Sequence, residues 1–177
     1  VACGKSTFGK TFLCECPYKG SIKYNGNELS SVADNVRSGI ISYLGHDTEL
    51  FNDSIKNNVL LGDDCNVSEY LKDVCIDKEV AQMENGVDTL IGNGGVRQRI
   101  ALARTLCHKK PVLVLDDPFS ALDISTEKKI YNNLCDIAKN NIVIIMTHRL
   151  YMFPKMDKVI WMDNGKAIVG KHEEIML

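Results

Sequence analysis

The feature that most constrains the fold is a pair of uninterrupted apolar runs, VLVL at residues 112–115 and IVIIM at residues 142–146. Strands that are apolar at every position are typical of parallel sheets, because helices cover both faces of such sheets. Helices are predicted over residues 96–110, before Pro111, and over residues 125–140, with Ser125 as the cap. Buried strands that alternate with helices predict an α/β fold.

Shorter segments complete the predicted organisation. A helix is expected where apolar residues recur with a period near 3.6, and a strand where apolar and polar residues alternate or an apolar run ends in a turn. The remaining predicted elements are helices over 5–13 and 67–76, an edge strand over 20–26, and strands over 38–45 and 158–166.

Composition excludes several classes of protein. A formal net charge of −2 argues against non-specific nucleic-acid binding, which needs a basic surface, so no nucleic-acid partner is expected. No apolar run approaches the roughly 20 residues that cross a bilayer, so a membrane role would require a partner or another part of the protein. The seven cysteines are odd in number and lack paired zinc-ligand spacing, which favours reduced thiols in a cytosolic setting.

The chain begins with VACGKST, in which Gly4-Lys5-Ser6 matches the second half of a phosphate-binding loop, GxxxxGK[ST]. Glycine lets successive backbone N–H groups point at phosphate oxygens, and the following helix contributes its positive N-terminal end. Lys5 would reach the β- and γ-phosphates, and the Ser6 hydroxyl would bind Mg²⁺. The tripeptide alone is a weak signal, and chance occurrence stays open.

Two acids, Asp116 and Asp117, follow the first apolar run directly. A strand that ends in aspartate downstream of a phosphate-binding loop is how such ATPases hold Mg²⁺ through water, which would be the role of Asp116. The alternative is that both carboxylates only cap the following turn.

Two further motifs are ambiguous when taken alone. The glycines of GGVRQRIALARTL (94–106) lie at a helix N-terminus and could bind an anion, although a solvated helix face explains the charged residues as well. His148 follows the second apolar run, so it would emerge at the same carboxyl edge of the sheet as Asp116. A lone histidine at a strand end is more often a satisfied polar residue than a catalyst.

Taken in order, these motifs resemble the nucleotide-binding domains of ATP-binding cassette (ABC) transporters of the exporter type. The resemblance covers nearly the whole chain. It includes the Walker A end (4–7), the Q-loop region (41–59), the signature and its helix (94–104), Walker B (112–117), the D-loop (120–123), the switch-histidine loop (147–149) and GKHEEIM at 170–176.

The resemblance implies a P-loop NTPase core with a parallel sheet, a small antiparallel β part and an inserted helical subdomain at roughly residues 47–110. Residues 1–177 would form a single nucleotide-binding domain. The implied cofactors are ATP and Mg²⁺, and the implied catalytic residues are Asp117, His148 and His46. The resemblance assigns nucleotide contacts to Cys3, Gly4, Lys5, Ser6, Thr7, Asn93, Gly94, Gly95 and Asp123, and metal contacts to Ser6 and Asp116.

The implied partners are a second nucleotide-binding domain, identical or different, and the transmembrane domains of a transporter. The domain would then work at the cytoplasmic face of a membrane, where ATP closes the dimer and hydrolysis reopens it. Asp123 would communicate between the two sites, and His148 would contact the γ-phosphate.

Four departures from the family pattern bear on activity. Asp117 replaces the usual glutamate, His46 replaces the Q-loop glutamine, and Asn93 with Val96 replace the signature serine and glutamine. Residues usually present between Ile91-Gly92 and the signature are absent. We expect that residues are missing there, and that further residues, including the first glycine of the loop, precede Val1.

Two other interpretations were considered. An ATP-binding switch with little hydrolysis would share every motif, and the Asp117 carboxylate would distinguish it from an active ATPase. A chromosome or repair ATPase also shares the signature, but such proteins insert long coiled coils, and no heptad run occurs here.

Overall fold

The centre of the fold is a three-stranded parallel sheet with strand order β3–β4–β5. The computed structural model describes residues 4–47, 49–91, 96–120, 122–163 and 166–175. The sheet consists of β3 (Ile41–Leu44), β4 (Val112–Asp116) and β5 (Ile142–Met146), and Val112 pairs with both Ile41 and Ile142. All five residues of the central strand β4 are buried. The two apolar runs therefore form neighbouring parallel strands, as predicted. The prediction that both strands are buried is correct for β4 but wrong for β5, in which only Met146 is buried and Ile142 is 54% exposed. Within the described ranges β5 pairs with a strand on one side only, so its other edge is left uncovered.

Helices cover this sheet. Helix α1 (Lys5–Phe12) packs against β4 and β5, α6 (Arg97–Cys107) packs against β3, and α7 (Ile124–Ala138) packs against β5. Gly9 allows the close approach of α1, because a Cβ atom there would lie 2.4 Å from Cε of Met146.

Two small antiparallel pairs accompany the central sheet, β1 (Lys23–Tyr24) with β2 (Asn27–Glu28) and β6 (Val159–Asp163) with β7 (Lys166–Gly170). They correspond to the small antiparallel part of the predicted fold. The remaining short elements are α2 (Asp34–Arg37), α8 (His172–Ile175) and three 3₁₀ turns at Leu29–Ser31, Gly86–Asp88 and Leu150–Lys155.

Three helices, α3 (Ile55–Leu60), α4 (Val67–Asp73) and α5 (Asp77–Ala81), form a layer, in which α3 and α4 pack against α6. The Arg99 guanidinium of α6 forms two hydrogen bonds of 2.7 and 2.8 Å to the Glu79 carboxylate and donates a third to the Cys75 carbonyl at 3.0 Å. These helices lie within residues 47–110, and their designation as an inserted subdomain stays a prediction.

Helix α7 begins one residue earlier than the sequence predicts. Its cap is Asp123, not Ser125, because Oδ1 of Asp123 accepts hydrogen bonds from the N–H groups of Ser125 (2.9 Å) and Thr126 (3.0 Å). The prediction that Ser125 caps this helix was wrong. A carboxylate two residues upstream provides a stronger acceptor for the first N–H groups of the helix.

Two predicted strands are shorter than expected. The strand predicted over 20–26 is confined to Lys23–Tyr24, because Asn25 and Gly26 adopt left-handed backbone conformations that turn the chain. The strand predicted over 38–45 begins only at Ile41, because the amides of Ser38 and Gly39 bond to the carbonyls of Asp34 and Val36 in a helical turn.

A largely apolar groove of about 710 Å³ lies between β5 and β6, lined by residues that include Ile144, Met146, Val159 and Ile160. Within the described ranges, β5 pairs with a strand on one side only. None of the helices in these ranges is long and apolar enough to span a bilayer. The six cysteines described there are free thiols.

Candidate functional site

A cavity of about 530 Å³ lies at the carboxyl edge of the central sheet. Ser6 of α1, Asp116 at the end of β4 and His46 in the loop after β3 all line it. Asp116 is 5% exposed. The structure therefore brings the two predicted metal ligands and the residue at the Q-loop position to one cavity, although they are far apart in the sequence.

Of the loop before α1, the described residues include only Gly4, which turns the chain into the helix. Gly4 is the N-cap residue with φ 90° and ψ 10°, a left-handed conformation that favours glycine, and its carbonyl accepts a hydrogen bond from the amide of Phe8 at 2.8 Å. Successive residues of a helix point about 100° apart. Lys5 accordingly lines the groove beside β5, whereas Ser6 lines the cavity with Asp116. Thr7 is exposed, and Cys3 lies outside the described residues.

Asp117, the residue directly after β4, has a left-handed backbone conformation that is uncommon for aspartate. Its φ is 47°, and its amide donates to the carbonyl of Met146 at 2.9 Å. Its Oδ1 atom is buried, and no group in the described part of the chain donates a hydrogen bond to it. Such an oxygen leaves an acceptor position open, which a residue that holds a water molecule requires.

His148 lies opposite this carboxylate. Its Nδ1 atom is 4.0 Å from Oδ1 of Asp117, which is too long for a direct hydrogen bond. The sequence predicts that the histidine and the aspartates emerge at one edge of the sheet, and the pairing of Asp116 with Met146 on the neighbouring strand brings them there.

Tyr43 also lines the cavity, and the sequence reasoning missed it. Its hydroxyl oxygen is buried without a hydrogen-bond partner in the described ranges. Burial, followed by the negative charge of Asp116, raises the pKa of Tyr43 to about 12, so the hydroxyl remains a donor at neutral pH. The strand register could have identified it, because Tyr43 pairs with Val114 and Val114 shares a sheet face with Asp116.

The carboxylate of Asp123 is engaged locally in this structure. Hydrogen bonds from Thr126 and Ser125 hold the pKa of Asp123 well below its ordinary value of 3.8. The carboxylate is therefore charged at neutral pH and caps α7, whatever it contacts in an assembly. The predicted signature residues Asn93, Gly94 and Gly95 lie outside the described residues.

Known families and structures were compared with this chain. The ABC transporter family matches residues 2–120. The chain belongs to the ABC transporter family. It is 33% identical over 191 residues to an ATP-dependent lipid A-core flippase of Alcanivorax borkumensis, covering 98% of this chain and 33% of the flippase. It is 32% identical over 186 residues to P-glycoprotein 14 of Caenorhabditis elegans, covering 98% of this chain and 14% of that protein.

A solved structure of a bacterial Atm1-family ABC exporter with ATP bound has the same fold, with a TM-score of 0.89 and 30% identity, covering 98% of this chain and 33% of the exporter. These matches confirm the predicted exporter-type ATP-binding domain and its fold class. This chain spans a third or less of the length of the proteins named above. The alignment with the flippase is longer than the 177 residues of this chain, so the flippase has residues without a counterpart here.

Proposed function

We propose that this ABC domain binds and slowly hydrolyses Mg-ATP to power export across a membrane. The observation that carries the proposal is that Ser6 and Asp116 line one cavity, while Oδ1 of Asp117, the residue after Asp116, accepts no hydrogen bond from the described residues. A hydroxyl and a carboxylate are hard oxygen ligands that suit Mg²⁺. When bound, Mg²⁺ would neutralise charge that develops on the β- and γ-phosphate oxygens.

In the proposed reaction, the phosphates of ATP lie at the N-terminus of α1, where Gly4 allows the backbone to turn and Lys5 reaches the β- and γ-phosphates. Ser6 and Asp116 would hold Mg²⁺, Ser6 through its hydroxyl and Asp116 through water. Asp117 would orient the attacking water and accept its proton as a general base. His46 lines the same cavity as Ser6 and Asp116, and His148 would contact the γ-phosphate. The shared cavity supports the roles of Ser6 and Asp116, and the open oxygen of Asp117 supports its role. The roles of Lys5 and His148 follow from the family resemblance.

The proposed hydrolysis is slow because Asp117 is one methylene shorter than the glutamate usual at this position. A general base contributes about 10²–10⁴-fold to a rate only when its oxygen reaches the water. The amide of Asp117 donates a hydrogen bond to the carbonyl of Met146, so the backbone cannot readily shift to bring the shorter carboxylate closer to the water.

Assembly is part of the proposal. A second nucleotide-binding domain, identical or different, would close over ATP and contribute its signature residues, while Asn93, Gly94 and Gly95 of this chain would serve the partner's nucleotide. The dimer would lie at the cytoplasmic face of the membrane. The transmembrane domains would change conformation as the dimer opens and closes.

Nucleotide binding tests the proposal directly. Lys5→Met should weaken Mg-ATP binding about 10–150-fold, because a hydrogen bond to a charged group contributes about 1.5–3 kcal/mol. The measurement is the Kd of Mg-ATP for the full-length transporter, by isothermal titration calorimetry. Lys19→Met is the matched control, since Lys19 is exposed and lines neither the groove nor the cavity. Equal affinity of the Lys5 variant and the wild type would contradict the proposed site.

A further inference from the structure

We propose that Arg149 is a positioning residue that fixes the tautomer of His148, placing the ring proton on Nδ1, the nitrogen that faces Asp117. The catalytic consequence of this inference rests on the proposed function. The tautomer itself follows from hydrogen bonds among three elements, α7, the loop after β4 and the loop after β5.

The hydrogen bond to the imidazole ring determines the tautomer. Nη1 of Arg149 lies 2.8 Å from Nε2 of His148. A guanidinium group has only donors, so Nε2 must accept this hydrogen bond and cannot carry a proton. A neutral histidine whose Nε2 is unprotonated carries its proton on Nδ1.

No other contact in the described ranges performs this task. Asp117 is 4.0 Å from Nδ1, beyond hydrogen-bond distance, and the side chain of His148 is 63% exposed, so packing leaves the ring free to turn. Arg149 therefore provides the contact that holds the ring.

Arg149 is itself held by two buried groups. Its Nε donates to Oε1 of Glu127 at 2.8 Å, and its Nη2 donates to the carbonyl of Phe119 at 3.3 Å. Glu127 is 2% exposed on α7, and Phe119 is fully buried two residues after Asp117. All three guanidinium nitrogens are thus engaged, which fixes the plane of the group. The Arg149 guanidinium therefore connects His148 to the loop that carries both Phe119 and Asp117.

This tautomer suits the site. With the proton on Nδ1, the ring presents a donor toward Oδ1 of Asp117, which has no donor among the described residues. In the other tautomer, the Nδ1 lone pair would face the carboxylate and repel it. Arg149 thereby ensures that His148 presents an N–H donor, not a lone pair, toward the Asp117 carboxylate when a water molecule binds there.

The test is the position of the ring proton. Arg149→Lys keeps a positive charge near the buried Glu127, but one ammonium nitrogen cannot reach three partners in a fork. We expect ¹⁵N spectra of the histidine-labelled full-length protein, recorded by solid-state NMR at a pH where His148 is neutral, to show Nδ1–H in the wild type. In the Arg149→Lys variant, the Nε2–H form should appear. His148→Gln assigns the signal.

Arg37→Lys is the matched control. The Arg37 guanidinium also has three partners, the carbonyls of Leu29 and Val32 and the carboxylate of Asp34, and none of these four residues lines the cavity of Asp116. This control should leave the His148 signal unchanged. Thermal unfolding of each variant establishes that the fold is retained.

A kinetic measurement accompanies the spectra. Arg149→Lys should lower kcat for ATP by about 10–100-fold with little change in KM, the range typical when a group that orients a metal-bound histidine is lost. A wild-type protein with the proton on Nε2, or an Arg149→Lys variant with the wild-type tautomer, would overturn the inference. A wild type without ATP turnover would refute the proposed function instead, because the spectra still decide the tautomer.

Discussion

Replacing Asp116 with asparagine should lower Mg-dependent ATP turnover about 10²–10³-fold, the loss typical when one group that stabilises developing charge is removed. The amide has nearly the shape of the carboxylate but lacks its charge, and Mg²⁺ prefers charged oxygen ligands. Asp116 is 5% exposed at the end of a fully buried strand, so its carboxylate is held in a fixed position at the wall of the cavity.

The control for this variant is Asp136→Asn, the same change at an exposed position of α7, where the Asp136 carboxylate accepts a hydrogen bond from Lys139 at 2.6 Å. Turnover should be measured over a Mg²⁺ titration, with the unfolding temperature recorded for both variants. Turnover of Asp116→Asn within about threefold of the wild type at saturating Mg²⁺ would contradict the role of Asp116.

The largest expected effect on stability comes from Phe119→Ala, which should lower the free energy of unfolding by about 3–5 kcal/mol. The ring of Phe119 is fully buried and packs edge-on against Tyr131, with 6.5 Å between ring centroids. Its backbone carbonyl also anchors Arg149. Loss of the ring would therefore leave a cavity directly beneath the loop that carries Asp117.

Phe51→Ala is the matched control, because Phe51 is 63% exposed and the same atoms are removed. Its effect should stay within about 0.5 kcal/mol, as for other surface changes. Urea unfolding of the 177-residue chain, followed by the fluorescence of its single tryptophan, Trp161, gives both values. Similar losses in the two variants would show that burial of Phe119 does not stabilise this loop.

The central sheet could be predicted because its signal is local. The apolar runs at Val112–Leu115 and Ile142–Met146 leave no hydrophilic face, which excludes a half-exposed antiparallel sheet. The acids that end the first run, and the histidine after the second, then lie at the same sheet edge for any parallel pairing. Helix α6 was predicted from an equally local signal, because Pro111 follows its end and cannot continue a helix.

The contacts that arrange the site could not be predicted in the same way. Glu127 and Arg149 are 22 residues apart, and no local period connects a helix residue to a loop residue of that kind. Tyr43 has no distinguishing feature in the sequence. Only the register of β3 against β4 brings it to the cavity that Asp116 lines. The cap of α7 was misassigned because Asp123 and Ser125 are both good capping residues, and only the geometry of the turn decides between them.

The most direct test of the central claim is the Mg-ATP turnover of the complete transporter with Asp117→Glu, compared with the wild type, with the base of the partner domain disabled. If Asp117 is a base that is one methylene too short, glutamate should raise turnover at least about tenfold, within the range that a well-placed general base contributes. Turnover unchanged by the substitution, whether active or absent in both proteins, would contradict the claim that the length of this side chain limits the site.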